Sequence, residues 1–148
     1  MSNYISAERV FLDVDAATVD DVFAFLSDQA VELGLTDDRD AVLKAFEARE
    51  AMGSTGMTGG FAIPHAKTDA VKEPALVAVK FTNDIDWQSQ DGEPIKAAIA
   101  LFAPASDPTT YLRLLSKVAV LLSNEFFRLS VLDAAEKAVI AAAIAKGL

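Results

Sequence analysis

Histidine occurs once in these 148 residues, at His65, and cysteine does not occur. An imidazole, with an ordinary pKa of about 6.5, is the only side chain present that changes charge near neutral pH, and its neutral form offers a nitrogen lone pair to an electrophile. Upstream of it the chain reads Gly53-Ser54-Thr55-Gly56-Met57-Thr58-Gly59-Gly60, then Phe61-Ala62-Ile63-Pro64. The glycines predict a loop that needs positive φ or approaches another group closely, and whose backbone N–H groups could surround an anion. Phe61-Ala62-Ile63 predicts a short buried strand. Pro64 stops it by removing a ladder donor, so His65 is expected where the chain leaves the sheet, and ligand sites in open α/β sheets gather at strand ends. The competing role for a lone histidine is structural: capping a strand or hydrogen-bonding a carbonyl.

Arg49 is the second candidate. It lies three residues after Phe46 and seven after Val42, so at about 100° per residue it shares their apolar face, unlike Arg39 and Lys44. An inward guanidinium can reach a phosphoryl oxygen or a carboxylate with a rigid fork of donors. A stem that covers Val42 while its head reaches water explains the same spacing. Spacing alone does not choose between them.

Other chemistries find no support. The glycine loop matches neither G-x-x-x-x-G-K-[ST] nor G-x-G-x-x-G, so no nucleotide fingerprint is present. One histidine without cysteine cannot supply the usual zinc ligands, and Ser54 or Ser106 would need a G-x-S-x-G elbow that the chain lacks. No carboxylate pair is singled out for acid–base work. An imidazole, an arginine and a loop suited to anions fit a histidine nucleophile for phosphoryl transfer.

The elements that must position these residues follow from periodicity. Residues 1–15 offer loose strand material in Ile5, Val10, Phe11 and Leu12. Thr18 opens a helix with Asp20 and Asp21 in its first turn and Val22, Phe25, Leu26 and Leu33 on one face, ended by Gly34. A second helix runs from Asp37 or Asp38 to Met52. Ala75–Phe81 predicts a strand, Asn83-Asp84 a turn, Ile85–Trp87 a short extended piece, and Asp91-Gly92-Glu93-Pro94 another turn. The apolar run Ile95–Phe102 suits a central strand buried on both faces. Ser106-Asp107-Pro108 starts a helix with the stripe Tyr111, Leu114, Leu115, Val118, Leu121 and Leu122. A last helical region, broken near Asn124 and Asp133, carries Phe126, Leu129, Val139, Ile140 and Ile144. The expected architecture is one α/β domain over residues 1–148, a mixed β-sheet of about five strands covered by helices on both faces.

Composition agrees with a folded domain: 52% hydrophobic and 24% charged residues do not suit disorder. A net charge of -9 argues against nucleic acid, which is held by cations, and suits a basic protein partner. The longest apolar run, Ala138–Ala145, is far short of the roughly 20 residues of a membrane helix. No signal-peptide pattern opens the chain, and absent cysteine is compatible with a reducing compartment, so a cytoplasmic location is expected.

Arg49-Glu50, Thr55-Gly56-Met57 and Ala62-Ile63-Pro64-His65-Ala66-Lys67 together resemble the type 2 enzyme IIA domain, fructose/mannitol class, of the bacterial phosphoenolpyruvate-dependent sugar phosphotransferase system. The likeness continues through Thr68-Asp69-Ala70-Val71, Trp87 with Asp91-Gly92, Pro104 and the leucine-rich helix after Tyr111, and Ile63 to Val71 is most similar to the fructose-specific branch. The resemblance implies that His65 is phosphorylated, at Nε2, by the carrier protein HPr. It then passes the group to the cysteine of a cognate enzyme IIB on a separate chain, for uptake of a fructose-type sugar. By the same resemblance Arg49 binds phosphoryl oxygens, with Thr55, Gly56 and Tyr111 beside or behind the phosphoryl group. No metal or cofactor is implied, and any membrane association would run through an enzyme IIC complex.

Three positions depart from the family pattern. Thr110-Tyr111-Leu112 stands where a second histidine is usual, and a tyrosine can donate a hydroxyl but cannot become cationic. Tyr111 also lies on the apolar face of its helix, which core packing would explain. Thr58 replaces a common glycine and Phe61 a smaller aliphatic. A regulatory paralogue, whose His65 phosphorylation state controls binding to a partner protein, is the alternative to a transport carrier; a binding module without phosphorylation is the third reading.

Overall fold

Thr18 accepts the backbone N–H of Asp21 while the Asp21 carboxylate accepts that of Thr18, a reciprocal cap that starts helix α1 (Val19–Glu32). In this computed structural model, which describes residues 4–148, the same kind of local chemistry sets most helix starts. Asp38 caps α2 (Arg39–Ala51), Asp107 caps α3 (Pro108–Leu122) with Pro108 in the first turn, and Asn124 caps α4 (Glu125–Asp133). A last helix, α5, spans Lys137–Lys146. Gly34 takes φ +74° just past α1, where a side chain would be strained. The reading of Met1-Ser2-Asn3 as free of a signal pattern lies outside the described residues.

Five strands form one mixed sheet: β1 (Val10–Val14), β2 (Phe61–Ala62), β3 (His65–Lys67), β4 (Ala75–Ile85) and β5 (Ile95–Ala103). The order is β1-β4-β5-β2, with β3 also paired to β5. β4 and β5 are antiparallel, and the other pairings are parallel. Alternation along the central strands divides the interior in two. Val77, Val79, Ala98, Ala100 and Phe102 meet α1 and α2 through Phe23, Leu26, Val42 and Phe46. Leu76, Ala97, Ile99 and Leu101 meet the C-terminal helices through Leu114, Val118, Val131 and Ile144.

Three expectations are corrected. Asn83-Asp84 is not a turn but part of β4, which runs on to Ile85 across a register shift between Lys80 and Ile85; the irregular pairing accommodates polar residues inside a long strand. Ile140 and Ile144 are buried as expected, but Phe126 (83% exposed), Leu129 and Val139 face solvent, and Phe127 and Val131 fill the core in their region. Asn124 caps α4, whose buried face is Phe127 and Val131, and α5 begins separately at Lys137, with Ile140, Ala141 and Ile144 on its buried face. His65 does not sit where the chain leaves the sheet. Pro64 interrupts the edge, but its carbonyl still accepts the N–H of Leu101 at 2.9 Å, and the chain resumes on the same neighbour with His65 opposite Leu101.

Candidate functional site

Strand β3 lies on the sheet edge beside the C-terminal end of α2, and the two elements bring His65 and Arg49 together. His65 Nδ1 is 2.7 Å from the carbonyl of Ile63, and Arg49 Nε donates to His65 Nε2 at 2.9 Å. A guanidinium Nε–H can only donate, so Nε2 must be the accepting nitrogen and the ring proton sits on Nδ1, donated to Ile63. The ring is therefore a neutral imidazole whose lone pair is held at a known atom. It is 5% exposed, and burial is the first cause that holds its pKa below the ordinary value. The Ile63 carbonyl opposes that shift and the Arg49 charge adds to it, with Glu50 and Lys67 acting in opposite senses more weakly.

Arg49 also donates through Nη1 to the Gly53 carbonyl at 2.8 Å, closing the last turn of α2 over its own exit loop. It is half-buried, so the inward guanidinium is the reading that holds. Neither Arg49 nor Lys67 forms an ion pair with a carboxylate among the described residues.

The neighbouring Glu50 fastens the loop. Its carboxylate accepts from the Thr55 N–H (3.0 Å), the Thr55 hydroxyl and the Trp87 indole N–H (3.1 Å). The Thr55 carbonyl in turn accepts the N–H of Ile63 at 3.0 Å, and the Ile63 carbonyl is the acceptor that fixes the tautomer of His65. Hydrogen bonds thus run without a gap from Trp87 through Glu50, Thr55 and Ile63 to the imidazole.

This arrangement overturns the expectation that the glycine loop offers its N–H groups to an anion. Gly56 N–H goes to the Ser54 hydroxyl, Met57 N–H to the Phe61 carbonyl and Gly59 N–H to the Asp91 carboxylate. The glycines serve close packing: a Cβ at Gly56 would lie 2.1 Å from the Gln88 carbonyl oxygen, and one at Gly59, where φ is +75°, 2.1 Å from the Arg128 side chain. Thr55 and Gly56 are buried behind the histidine, not in the opening in front of it.

That opening is a cavity of about 320 Å³ lined by Ala45, Ala48, Arg49, Met52, His65, Lys67 and Tyr111. The Tyr111 ring is tilted against His65 with centroids 5.8 Å apart. It is 8% exposed, and burial raises its hydroxyl pKa while the Arg49 charge opposes this, so the phenol stays protonated at neutral pH. Lys67 places its ammonium 4.9 Å from the centre of the same ring. The sequence brought His65, Arg49 and Tyr111 to one place and set Thr55 and Gly56 behind them. It missed the parts of Glu50, Trp87 and Lys67; the i, i+2 spacing of Lys67 from His65 on a strand was the available signal for the last.

A neutral imidazole with its lone pair aimed at an arginine, beside a second unneutralised cation, suits a small doubly charged electrophile. Comparison with known proteins agrees in class. Residues 3–147 match the family described as phosphoenolpyruvate-dependent sugar phosphotransferase system, EIIA 2. The chain is 36% identical over 137 residues to the fructose-specific EIIA component of Haloferax volcanii, covering 93% of this chain and 89% of that protein. It is 32% identical over 127 residues to a nitrogen regulatory protein of Klebsiella oxytoca, covering 84% and 77%. In fold it matches the nitrogen regulatory protein IIA-Ntr of Neisseria meningitidis with a TM-score of 0.87 at 24% identity, over 93% of this chain and 94% of that one. The mannitol enzyme IIA in complex with phosphorylated enzyme IIB of Escherichia coli matches with a TM-score of 0.81 at 17% identity, over 96% and 97%.

The fold and the family match together define a phosphotransferase-system component. The chain belongs to the type 2 EIIA family of the phosphoenolpyruvate-dependent sugar phosphotransferase system. Among the described residues no helix is long and apolar enough to cross a membrane.

Proposed function

We propose that this chain is a phosphoryl carrier that accepts a phosphoryl group from phosphorylated HPr on Nε2 of His65 and hands it to the cysteine of an enzyme IIB. The single observation that carries the reading is the Arg49 Nε contact on His65 Nε2, with Nδ1 tied to Ile63. It leaves one nitrogen as nucleophile and puts a cation on that same atom.

In the first half-reaction the Nε2 lone pair attacks phosphorus as Arg49 shifts from the nitrogen to the phosphoryl oxygens. A P–N bond to His65 forms while the P–N bond of the donor breaks, and the bonding pair returns to the donor imidazole. The proton on Nδ1 stays there, so the phosphorylated ring carries the positive charge that the Ile63 carbonyl partly offsets. In the second half a thiolate of the acceptor attacks phosphorus, an S–P bond forms, and the pair of the broken P–N bond returns to Nε2. Positioning and electrostatic stabilisation supply the catalysis, because phosphoryl transfer asks little covalent chemistry of the protein. Met52, 83% exposed at the mouth of the cavity, gives both partners an apolar landing point beside a nucleophile that is itself nearly buried.

The test is incubation with phosphoenolpyruvate, enzyme I and HPr, followed by a purified fructose-type enzyme IIB. Acid-labile phosphate should appear on the wild type, be absent from His65→Ala, and move on to enzyme IIB. Equal labelling of His65→Ala would sink the assignment. The likeness to the fructose-specific EIIA of Haloferax volcanii supports a fructose-type sugar system as the destination.

Two observations favour a regulatory role. Tyr111 gives the cavity a neutral phenol, and nitrogen regulatory proteins are among the relatives. A regulator tolerates slow onward transfer; ready transfer to enzyme IIB counts against it.

A further inference from the structure

Lys67 takes no part in the two transfer steps above, and its surroundings give it one. Strand alternation puts residues 65 and 67 of β3 on one face, with Ala66 turned into the opposite core. Lys67 therefore lines the same cavity as the imidazole. Its ammonium rests over the Tyr111 ring at 4.9 Å, and that ring stands 5.8 Å from His65. In a chain with 22 acidic and 13 basic residues, it forms no ion pair among the described residues, and neither does Arg49. Two unneutralised cations facing one small cavity in a strongly acidic protein indicate an anion as the missing counterpart.

Arg49 alone is a poor match for a phosphoryl dianion. It carries one charge, and it already spends Nη1 on the Gly53 carbonyl. Tyr111 adds a hydroxyl but no charge, since burial keeps it protonated. We propose that Lys67 is the second phosphoryl-binding cation of this site: its ammonium leaves the π face of Tyr111 and binds an oxygen of the phosphoryl group on His65. Tyr111 serves as the shelf that keeps the flexible lysine at the cavity while His65 is unmodified. This rests on His65 being the phosphorylated residue.

The measurement is the equilibrium constant for phosphoryl exchange between HPr and this protein, for wild type, Lys67→Gln, Lys67→Met and Lys67→Arg. An equilibrium constant depends only on the free proteins, so a lysine that merely aids docking changes both rates and leaves it unmoved. A lysine that binds the phosphoryl group in the product shifts it. Lys67→Gln and Lys67→Met should each move the equilibrium about tenfold toward phosphorylated HPr, the scale of one charge-assisted hydrogen bond on an exposed side chain. Lys67→Arg should stay within about threefold of wild type, because it keeps the charge. Unchanged constants in both neutral variants overturn the proposal and leave His65 as the carrier. Absence of label from His65 in the wild type overturns the carrier reading instead, and this proposal with it. Lys67 is exposed, and its side chain forms no hydrogen bond or ion pair among the described residues beyond its place over Tyr111, so the variants are expected to fold.

Discussion

Arg49 and His65 are separated by sixteen residues and by a glycine-rich loop, yet Nε of the first donates to Nε2 of the second across 2.9 Å. Removing the guanidinium takes away both the partner that orients the lone pair and the charge that would meet the phosphoryl oxygens. Arg49→Ala is expected to lower the rate of His65 phosphorylation by about 10²–10³, as for loss of one preorganised donor at a developing charge. Arg49→Lys should recover only part of this, since an ammonium lacks the fork that spans His65 and Gly53. Rapid-quench labelling checks both.

The pH dependence has a definite sign. The pKa of His65 is held below the ordinary value of about 6.5, chiefly by burial, so the neutral nucleophile prevails at pH 7. Below that ordinary value the unfolded chain binds more protons than the folded one. The fold therefore has the full contribution of this group above about pH 6.5 and loses it as pH falls through the lower folded value. Phosphorylation should fade in that same acid range. Since the chain has one histidine, its imidazole NMR signals belong to His65, and Arg49→Gln should raise the observed midpoint by removing a positive neighbour.

The link from Trp87 to the imidazole gives a third expectation. Glu50→Gln leaves a carboxamide that cannot accept three hydrogen bonds in the same geometry, so the indole N–H and the Thr55 groups lose partners. The cost to stability should be about 1–2 kcal/mol, because the carboxylate is only partly buried, and a urea titration reads it. Trp87 is the only tryptophan, and its emission should move to the red as its partner weakens. An unchanged spectrum and midpoint would mean that Glu50 does not tie the loop.

Much of this was legible because it rests on local chemistry. Thr18 and Asp21, Asp38, and Asp107 with Pro108 are cap residues whose effect does not depend on distant packing, so the starts of α1, α2 and α3 fall where the sequence placed them. The run from Ile95 is central because, apart from Lys96, every residue in it is apolar and buried, between β4 on one side and β2 and β3 on the other. What the sequence hid depends on partners far along the chain. Pro64 reads as the end of a strand, but the chain rejoins the same edge of β5 just beyond the proline, so His65 pairs with Leu101. The glycine loop reads as an anion cradle, but Asp91, thirty-two residues on, takes the Gly59 N–H, and the Phe61 carbonyl takes that of Met57. Phe126 and Phe127 are indistinguishable by type, and the packing of α4 on α3 and α5, not the break at Asn124, decides which one is buried.

With Nδ1 committed to the Ile63 carbonyl and Arg49 on Nε2, the proposed carrier role requires His65 to take the phosphoryl group on Nε2. Nitrogen-15 NMR of the protein phosphorylated through HPr reads the answer from the coupling between phosphorus and the two ring nitrogens of its single histidine. Coupling to Nε2, with a protonated Nδ1, is the predicted result. Phosphorus on Nδ1, or no phosphorus on the ring at all, would contradict the account.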